Sequence, residues 1–351
     1  MATETGYIAM ADISGYTSFV AATELEHSRE ILSELLEVTS RELEKHLVPV
    51  RLQGDAIICI SHDDEVVPCL ESAFVAFHRR VRAMVAATTC PCQACQSVPT
   101  LTLKFVAHYG TYSNVEVRGT KDLVGADVNI AFRLLKNHVP SHEYLLVTRP
   151  VLERLPESAR ERFVPITETY DLGTVDAFYR DLHDLRESSK RPTRAPVTKR
   201  EAHVRAETTV DAPPAVLWQL LQDPRAFERI LSAPKVDIQP GARGTMQGAE
   251  YHCHHGKDAE TIFEVVGMRE PNEITLYMYG RGPEAFGTYH FEPQPDGLTH
   301  VEFDIQFGPD VKGPKLFITR TMWGYFIRKG MGELAKIIRE RSPRSAVQQA
   351  P

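Results

Sequence analysis

The spacing of apolar residues predicts alternating strands and helices in the first half of the chain. Apolar positions that recur every 3.6 residues predict amphipathic helices, and short apolar runs bounded by turn residues predict buried strands. The predicted elements are strands at 7–10, 48–52, 56–60, 100–109 and 144–148, and helices at 24–46, 71–87 and 124–137. This alternation predicts an α+β or α/β sandwich in which helices cover a sheet.

The second half of the chain has a different pattern. Residues 186–202 are rich in Ser, Pro, Lys and Arg and have no apolar period, which predicts an exposed, basic, Pro-rich linker. Beyond it, residues 203–341 read as a strand, two short helices, a meander of strands and a long terminal amphipathic helix. Residues 342–351 are predicted to be a disordered tail. The domains are therefore expected at 1–185 and 203–341.

Composition narrows the classes of protein that fit. The 351 residues suit two domains, with 42% hydrophobic residues, 25% charged residues and a net charge of −7. The acidic balance argues against nucleic-acid binding, and no apolar run has the length of about 20 residues that spans a bilayer. The acidic N-terminal residues do not resemble a signal peptide. We expect a cytoplasmic protein whose six cysteines are thiols or metal ligands.

Two acidic residues occupy positions that suit metal binding. Asp12 follows the first predicted strand, and Asp55 lies in the glycine turn between the strands at 48–52 and 56–60. If these strands are neighbours, the two carboxylates form a pair of the kind that hard divalent cations prefer. Taken singly, each acid is better explained as a cap or turn residue.

A third motif lies at residues 122–133. Asp122 precedes Gly125 by three residues, and Asn129 and Arg133 are four residues apart, so they share one face of the predicted helix. An Arg on such a face offers a fixed fork of donors to a phosphate group.

The three motifs, in this order and spacing, resemble the catalytic core of the class III nucleotidyl cyclases. The resemblance implies a ferredoxin-like α/β sandwich that converts ATP, or GTP, to a cyclic nucleotide and pyrophosphate. It implies that Asp12 and Asp55 hold two Mg²⁺ or Mn²⁺ ions, assisted by the backbone carbonyl of Ile13. It also implies a head-to-tail homodimer with its active sites at the interface.

The same resemblance assigns roles to four further residues. Arg51 and Asp122 would bind the purine, while Asn129 and Arg133 would orient the ribose and stabilise charge on the transferring phosphate. Arg51 occupies the position at which adenylyl cyclases have Lys, so it favours adenine over guanine as the expected base. The basic residue that the family offers to the triphosphate is not evident near residues 170–173. An inactive nucleotide-binding module fused to a lipid or small-molecule carrier therefore remains an alternative to an enzyme.

The C-terminal half resembles the START-like (SRPBCC, polyketide cyclase-like) helix-grip domains in its element order and in the phrase from Thr209 to Trp218. The resemblance implies a cavity that binds an apolar or aromatic ligand, which could regulate the cyclase. Its expected aromatic lining is Tyr277, Tyr279, Tyr289, Phe291, Trp323, Tyr325 and Phe326. A third alternative is that this domain is itself an enzyme. His252 and His254 are expected to share one face of a strand as ordinary polar residues.

Three cysteines lie close together between a predicted helix and a predicted strand. Cys90, Cys92 and Cys95 have the spacing of a structural zinc site, with the fourth ligand sought among the three residues Cys69, His78 and His108. A loop of free thiols and a redox-active pair are the other interpretations.

Overall fold

The computed structural model describes residues 3–88, 90–171, 173–188, 195–255 and 260–341. The chain divides into two compact units between residues 191 and 192. No helix among the described residues has both the length and the apolar character that crossing a membrane requires.

The first unit contains one sheet of eight strands and eight helices among its described residues. The strands are β1 (Thr3–Ser14), β2 (Val48–Gln53), β3 (Ala56–Ser61), β4 (Thr102–Val117), β5 (Thr120–Val124), β6 (Tyr144–Thr148), β7 (Val164–Tyr170) and β8 (Gly173–Asp181). The helices are α1 (Tyr16–Ala22), α2 (Leu25–Leu43), α3 (Val66–Ala87), α4 (Gln93–Ser97), α5 (Ala126–Leu134), α6 (Arg149–Leu152), α7 (Glu157–Arg160) and α8 (His183–Ser188).

The strand order identifies a ferredoxin-like core. The order is β2-β3-β1-β4-β6-β8-β7, with β5 paired to β4. β3 pairs antiparallel with both β1 and β2, and β1 pairs antiparallel with β4. The first crossover, from β1 to β2, thus passes through α2, and the second, from β3 to β4, passes through α3. Two interlocked split β-α-β units of this kind define the ferredoxin-like arrangement, which confirms the predicted fold class.

The register determines which side chains share a face of the sheet. Asp12 is opposite Ala56 on one side and Lys104 on the other, and Arg51 is opposite Ile58. Because side chains alternate along strands, Asp12, Lys104 and Arg51 point to the same face. Apolar residues of that face, such as Met10 of β1, pack with residues of α5. On the other face, the Phe74 ring of α3 contacts the Phe105 ring of β4.

The second unit is a seven-stranded antiparallel sheet with a long terminal helix. Its strands are β9 (Val204–Val210), β10 (Lys235–Gln239), β11 (Glu250–His254), β12 (Glu260–Arg269), β13 (Glu273–Gly280), β14 (Ala285–Pro293) and β15 (Thr299–Phe307). Its helices are α9 (Pro214–Leu220), α10 (Pro224–Leu231) and α11 (Gly313–Arg341). The strands follow one another in the order β10 to β15, and β9 closes the row beside β15.

The sheet of the second unit packs against the terminal helix. Leu334 and Ile338 of α11 belong to the same buried cluster as Met278 of β13 and Phe303 of β15. This is the helix-grip arrangement that the element order predicts, so this half of the fold class is also confirmed.

Several boundaries differ from those predicted. Three elements, β1, β4 and α3, are longer than the apolar runs that predicted them. The residues at the two ends of a strand or helix need not be apolar, so an apolar pattern does not show where the element ends. Part of the segment predicted as an exposed linker is packed: Val197 is fully buried, and its N–H donates to Thr288 Oγ1 at 2.8 Å. Residues 189–194 of that linker and the predicted tail at 342–351 lie outside the described residues.

Candidate functional site

Asp12 and Asp55 come together at one end of the first sheet. The β2–β3 hairpin turns at Gly54, whose φ of 64° favours glycine, and this turn delivers Asp55 directly before Ala56. Ala56 is the partner of Asp12 across β1 and β3. The adjacency that metal binding required of the two acids is therefore present.

The two carboxyl groups repel each other when both are charged. Burial of Asp55 and the nearby charge of Asp12 raise the pKa of Asp55 to about 6. A divalent cation between the groups would remove that repulsion, and carboxylate oxygens are the ligands that Mg²⁺ and Mn²⁺ prefer. The donor set on this chain thus fits such a cation. The role expected of the Ile13 carbonyl remains a prediction, and the Ile13 side chain is buried.

Lys104 is a member of this site that sequence reasoning missed. Its Nζ lies 3.0 Å from Asp12 Oδ2, and the two residues are direct partners across β1 and β4. The ammonium group supplies a fixed positive charge at the acidic pair. Only the strand register reveals this, since Lys104 is far from Asp12 in sequence.

Arg51 and Asp122 form an ion pair. Arg51 Nη1 donates to Asp122 Oδ2, although the residues are 71 positions apart. Asp122 Oδ1 accepts a hydrogen bond from the Leu123 N–H at 2.8 Å, which holds the carboxylate in place. The two residues to which the cyclase resemblance assigns purine binding thus lie together.

Other contacts position the Arg51 guanidinium. Arg51 Nη2 donates to Gln53 Oε1, and the Arg51 Cζ atom lies 5.6 Å from the centroid of the Phe132 ring of α5. Within the described ranges, Arg51 Nε is buried and has no acceptor. A buried donor without an acceptor is costly, so this atom is available to a bound group.

Asn129 and Arg133 lie on α5, as predicted, and both are exposed. The start of α5 is fixed by Asp127, whose Oδ2 accepts hydrogen bonds from Thr111 N at 2.6 Å and Thr111 Oγ1 at 2.9 Å. Arg133 Nη2 donates to Asp171 Oδ2 at 2.8 Å across an exposed contact. The structure thus brings together Asp12 with Asp55 and Arg51 with Asp122, but it pairs Arg133 with an acid that sequence reasoning did not consider.

The three clustered cysteines lie beside His27 of α2. The His27 Nδ1 atom is 3.0 Å from Cys92 Sγ, 3.7 Å from Cys90 Sγ and 3.9 Å from Cys95 Sγ. All four ligand atoms lie within 4.8 Å of one another. The cluster therefore joins the start of α2 to the connection between α3 and β4.

The structure places His27 beside the three cysteines instead of the residues predicted as candidates for the fourth ligand. Cys69 Sγ donates to the backbone oxygens of Glu42 and Leu43, at 3.3 and 3.6 Å. His78 Nε2 is 3.0 Å from Thr102 Oγ1, and His108 Nδ1 is 2.9 Å from Thr148 Oγ1. His27 was missed because 63 residues separate it from Cys90 and only helix packing brings them together.

The seven aromatic residues expected to line one cavity are in different environments. Tyr289 stacks on Phe303 inside the core with ring centroids 3.8 Å apart, and Phe291 is buried with them. Tyr325 and Phe326 are mostly exposed. The expectation of a common lining was therefore wrong, because element order alone does not show which face of a strand or helix points inward.

Tyr277 and Tyr279 occupy a further environment. Both point to the face of β13 opposite Met278 and stack on each other at 5.3 Å. The last residue of the seven, Trp323, packs edge-on against the Phe307 ring at 5.2 Å.

The first unit has a ferredoxin-like core and the second a helix-grip arrangement, and comparisons with known proteins found similar proteins for parts of both. A family model described as "Polyketide cyclase / dehydrase and lipid transport" matches residues 201–339. A second model, described as "Protein of unknown function (DUF2652)", matches residues 32–144. The C-terminal unit is thus similar to polyketide cyclase-like, SRPBCC-type domains.

Solved structures similar to the N-terminal half are nucleotidyl cyclases. The guanylyl cyclase Cya2 is 15% identical, with a TM-score of 0.40, over 51% of this chain and 92% of its own. The adenylyl cyclase CyaB from P. aeruginosa is 16% identical, with a TM-score of 0.38, over 52% of this chain and 97% of its own. At these values, an assignment of activity depends on the residues of this chain.

A curated relative matches a shorter segment. "Uncharacterized protein Rv2561/Rv2562" of Mycobacterium tuberculosis (strain ATCC 25618 / H37Rv) is 38% identical over 94 residues. The match covers 26% of this chain and 44% of the relative, so the chain spans less than half the length of the protein it matches.

Proposed function

We propose that the first unit converts ATP to cyclic AMP and pyrophosphate. The observation that carries this proposal is the joint presence of two ligand-binding pairs in the first unit. Asp12 and Asp55 form an acidic pair suited to divalent cations, and Arg51 and Asp122 form a polar pair suited to a purine.

Separate residues of the chain would bind the metal ions and the purine. Asp12 and Asp55 would hold two Mg²⁺ or Mn²⁺ ions. Such ions, when bound, acidify a hydroxyl group and neutralise triphosphate charge. Asp122 would accept a hydrogen bond from the adenine amino group, and Arg51 would donate to a ring nitrogen.

Two residues of α5 would act on the sugar and the phosphates. Asn129 would orient the ribose, and Arg133 would stabilise the charge that develops on the transferring phosphate. Arg133 must first leave Asp171, and their exposed contact is weak enough to permit this.

A homodimer would complete two symmetric sites, with Asp12 and Asp55 of one chain facing Arg51, Asp122, Asn129 and Arg133 of the other. The surface near Arg51 and Asp122 supports this arrangement. Leu52 follows Arg51 on β2, and Val124 lies two residues after Asp122 on β5. Their exposed fractions are 58% and 50%. Covering apolar side chains of this kind favours association.

A turnover assay tests the proposal. Purified protein would be incubated with ATP or GTP and Mn²⁺, alongside Asp55→Ala and, as a matched control, Asp184→Ala, which changes an exposed acid on α8. We expect a cyclic product from the parent and the control and none from Asp55→Ala. Absence of product from the parent would refute the proposed activity.

A complementation experiment tests the shared site. Asp55→Ala and Asn129→Ala chains would each be inactive alone. Mixed, they should recover part of the parental activity, because one of the two sites in a mixed dimer is then intact. No recovery from chains that are shown to associate would refute a site shared between subunits.

The second candidate function is nucleotide binding without turnover. Two observations favour it: Lys104 already neutralises Asp12, and Arg133 is paired with Asp171. Metal-dependent ATP binding without product, measured by calorimetry, would support this function. Product formation would exclude it.

We further propose that the second unit binds an apolar ligand that regulates the first. Apolar side chains on the first half of α11 support this, since Phe317 and Tyr325 are 74% and 64% exposed. Titration with fatty acids of increasing length would test it. Binding that changes neither the cyclase rate nor the affinity for nucleotide would refute regulation.

A further inference from the structure

We propose that Cys90, Cys92, Cys95 and His27 bind one structural Zn²⁺ ion. Zinc sites of this kind are tetrahedral, with Zn–S bonds of about 2.3 Å and Zn–N bonds of about 2.0–2.1 Å. That geometry places the nitrogen about 3.6 Å from each sulfur. The observed separations of 3.0, 3.7 and 3.9 Å are distributed around that value.

The backbone around the cysteines is organised as a ligand loop. Cys92 caps the start of α4, and its Sγ accepts a hydrogen bond from the Cys95 N–H at 3.5 Å. Hydrogen bonds from backbone N–H groups to sulfur stabilise thiolates and orient them toward a metal. Packing of three thiols around one imidazole nitrogen is well explained by a shared ligand.

A second contact supports the same junction. Glu24, which precedes α2, accepts hydrogen bonds from the N–H groups of Gln93 at 3.2 Å and Ala94 at 3.0 Å. The loop is thus attached to the start of α2 through Glu24 as well as lying against His27. This attachment holds His27 in front of the cysteines without requiring the metal.

The location predicts a structural role. The site joins segments that are 63 to 68 residues apart in sequence. One segment follows the strand that carries Asp12, and the other precedes the strand that carries Lys104. Zn²⁺ would displace the thiol protons and release them to solvent, so its binding free energy would add to the stability of the fold.

Metal analysis of the full-length chain, purified without added zinc, tests the proposal. We expect about one zinc ion per chain in the parent. Cys92→Ser and His27→Ala should lose most of it, whereas the matched control Cys69→Ser should retain it, because Cys69 bonds to backbone oxygens elsewhere. Zinc near zero in the parent, or iron with labile sulfide in its place, would overturn the proposal.

A spectroscopic experiment keeps the test independent of how well the variants fold. The parent would be stripped with a chelator and titrated with Co²⁺. Three thiolates and one imidazole should give the intense visible bands of a tetrahedral site and a sulfur charge-transfer band, and the melting temperature should fall on chelation and recover with Zn²⁺. Weak octahedral bands, or a melting temperature that chelation leaves unchanged, would contradict a structural site. Neither readout depends on nucleotide turnover.

Discussion

The guanidinium of Arg51 on β2 donates to the carboxylate of Asp122 on β5, across 71 residues of sequence. The contact joins β2 and β5, which lie too far apart in sequence to belong to one short motif. It also leaves the buried Arg51 Nε without an acceptor among the described residues. A nucleotide base placed here would meet both a donor and an acceptor.

We therefore predict that Arg51→Ala and Asp122→Ala each weaken ATP binding about tenfold or more, which corresponds to about 1.4 kcal/mol. Because the side chains contact each other, the double variant should lose less than the sum of the two effects. Calorimetric dissociation constants in the presence of Mn²⁺ would measure this without requiring turnover.

The matched control for that pair is Arg41→Ala. Arg41 forms an exposed ion pair with Glu37 at 3.0 Å on α2, so the change removes an arginine from a pair with no proposed ligand. Its affinity for ATP should equal that of the parent. Unchanged affinity in Arg51→Ala as well would mean that the pair is structural.

Asp55→Asn should stabilise the protein at neutral pH. Burial and the Asp12 charge raise the pKa of Asp55 from 3.8 to about 6, so the folded state favours the protonated carboxyl group. The parent consequently loses stability as pH rises from below 4 through 6, and the neutral amide does not. We expect a gain of about 1 kcal/mol at pH 7.5 after allowing for solvent screening, and none at pH 3.5.

Thermal melts at the two pH values would measure the difference, with Asp184→Asn as the exposed control. Added Mg²⁺ should stabilise the parent at pH 7.5 and leave the stability of Asp55→Asn unchanged. The variant has a neutral amide in place of the negatively charged carboxylate that would bind the cation. An Asp55→Asn protein less stable than the parent at pH 7.5 without metal would contradict the repulsion between the two acids.

His252 should stabilise the second unit in a pH-dependent manner. Burial opposes its charge, but hydrogen bonds to Glu260 at 2.8 Å and Glu250 at 3.1 Å outweigh that effect and raise its pKa above 6.5. The contribution is therefore complete below pH 6.5 and is lost as pH rises through the raised pKa. His252→Gln should lower the melting temperature more at pH 6 than at pH 9.

His46→Gln provides a comparison, since that imidazole and the carboxylate of its partner Asp63 are 41% and 47% exposed. It should change the melting temperature little at either pH, as solvent screens exposed pairs. An effect of His252→Gln that is equal at both pH values would show that packing, rather than charge, is what His252 contributes.

Two glycines of α11 should respond in opposite ways to alanine. A Cβ at Gly330 would lie 2.6 Å from the backbone oxygen of Ile230, so Gly330→Ala must separate α11 from α10 and should cost about 1–3 kcal/mol. A Cβ at Gly332 meets nothing within 4 Å, so Gly332→Ala should gain about 0.5–1 kcal/mol from helix propensity. Urea denaturation of both variants would reveal the sign, and a stabilised Gly330→Ala would contradict the close helix contact.

Periodicity in the sequence determined most of the elements and their order. The predicted strand at 144–148 coincides with β6, and the predicted helix at 24–46 encloses α2. Local chemistry was sufficient here, since a helix period or a glycine turn is specified by residues close in sequence. The motif resemblance likewise selected Asp12 and Asp55 as candidates, and their adjacency follows once β1 and β3 pair.

Only the tertiary structure decided which distant residues meet. Lys104 reaches Asp12 through the register of β1 and β4, and His27 reaches the cysteines through the packing of α2 against a loop. The core aromatics were likewise separated from the exposed ones by the side of the sheet or helix on which they fall. Strand register and helix packing depend on the whole core, because a shift of one residue would reverse every side chain of a strand.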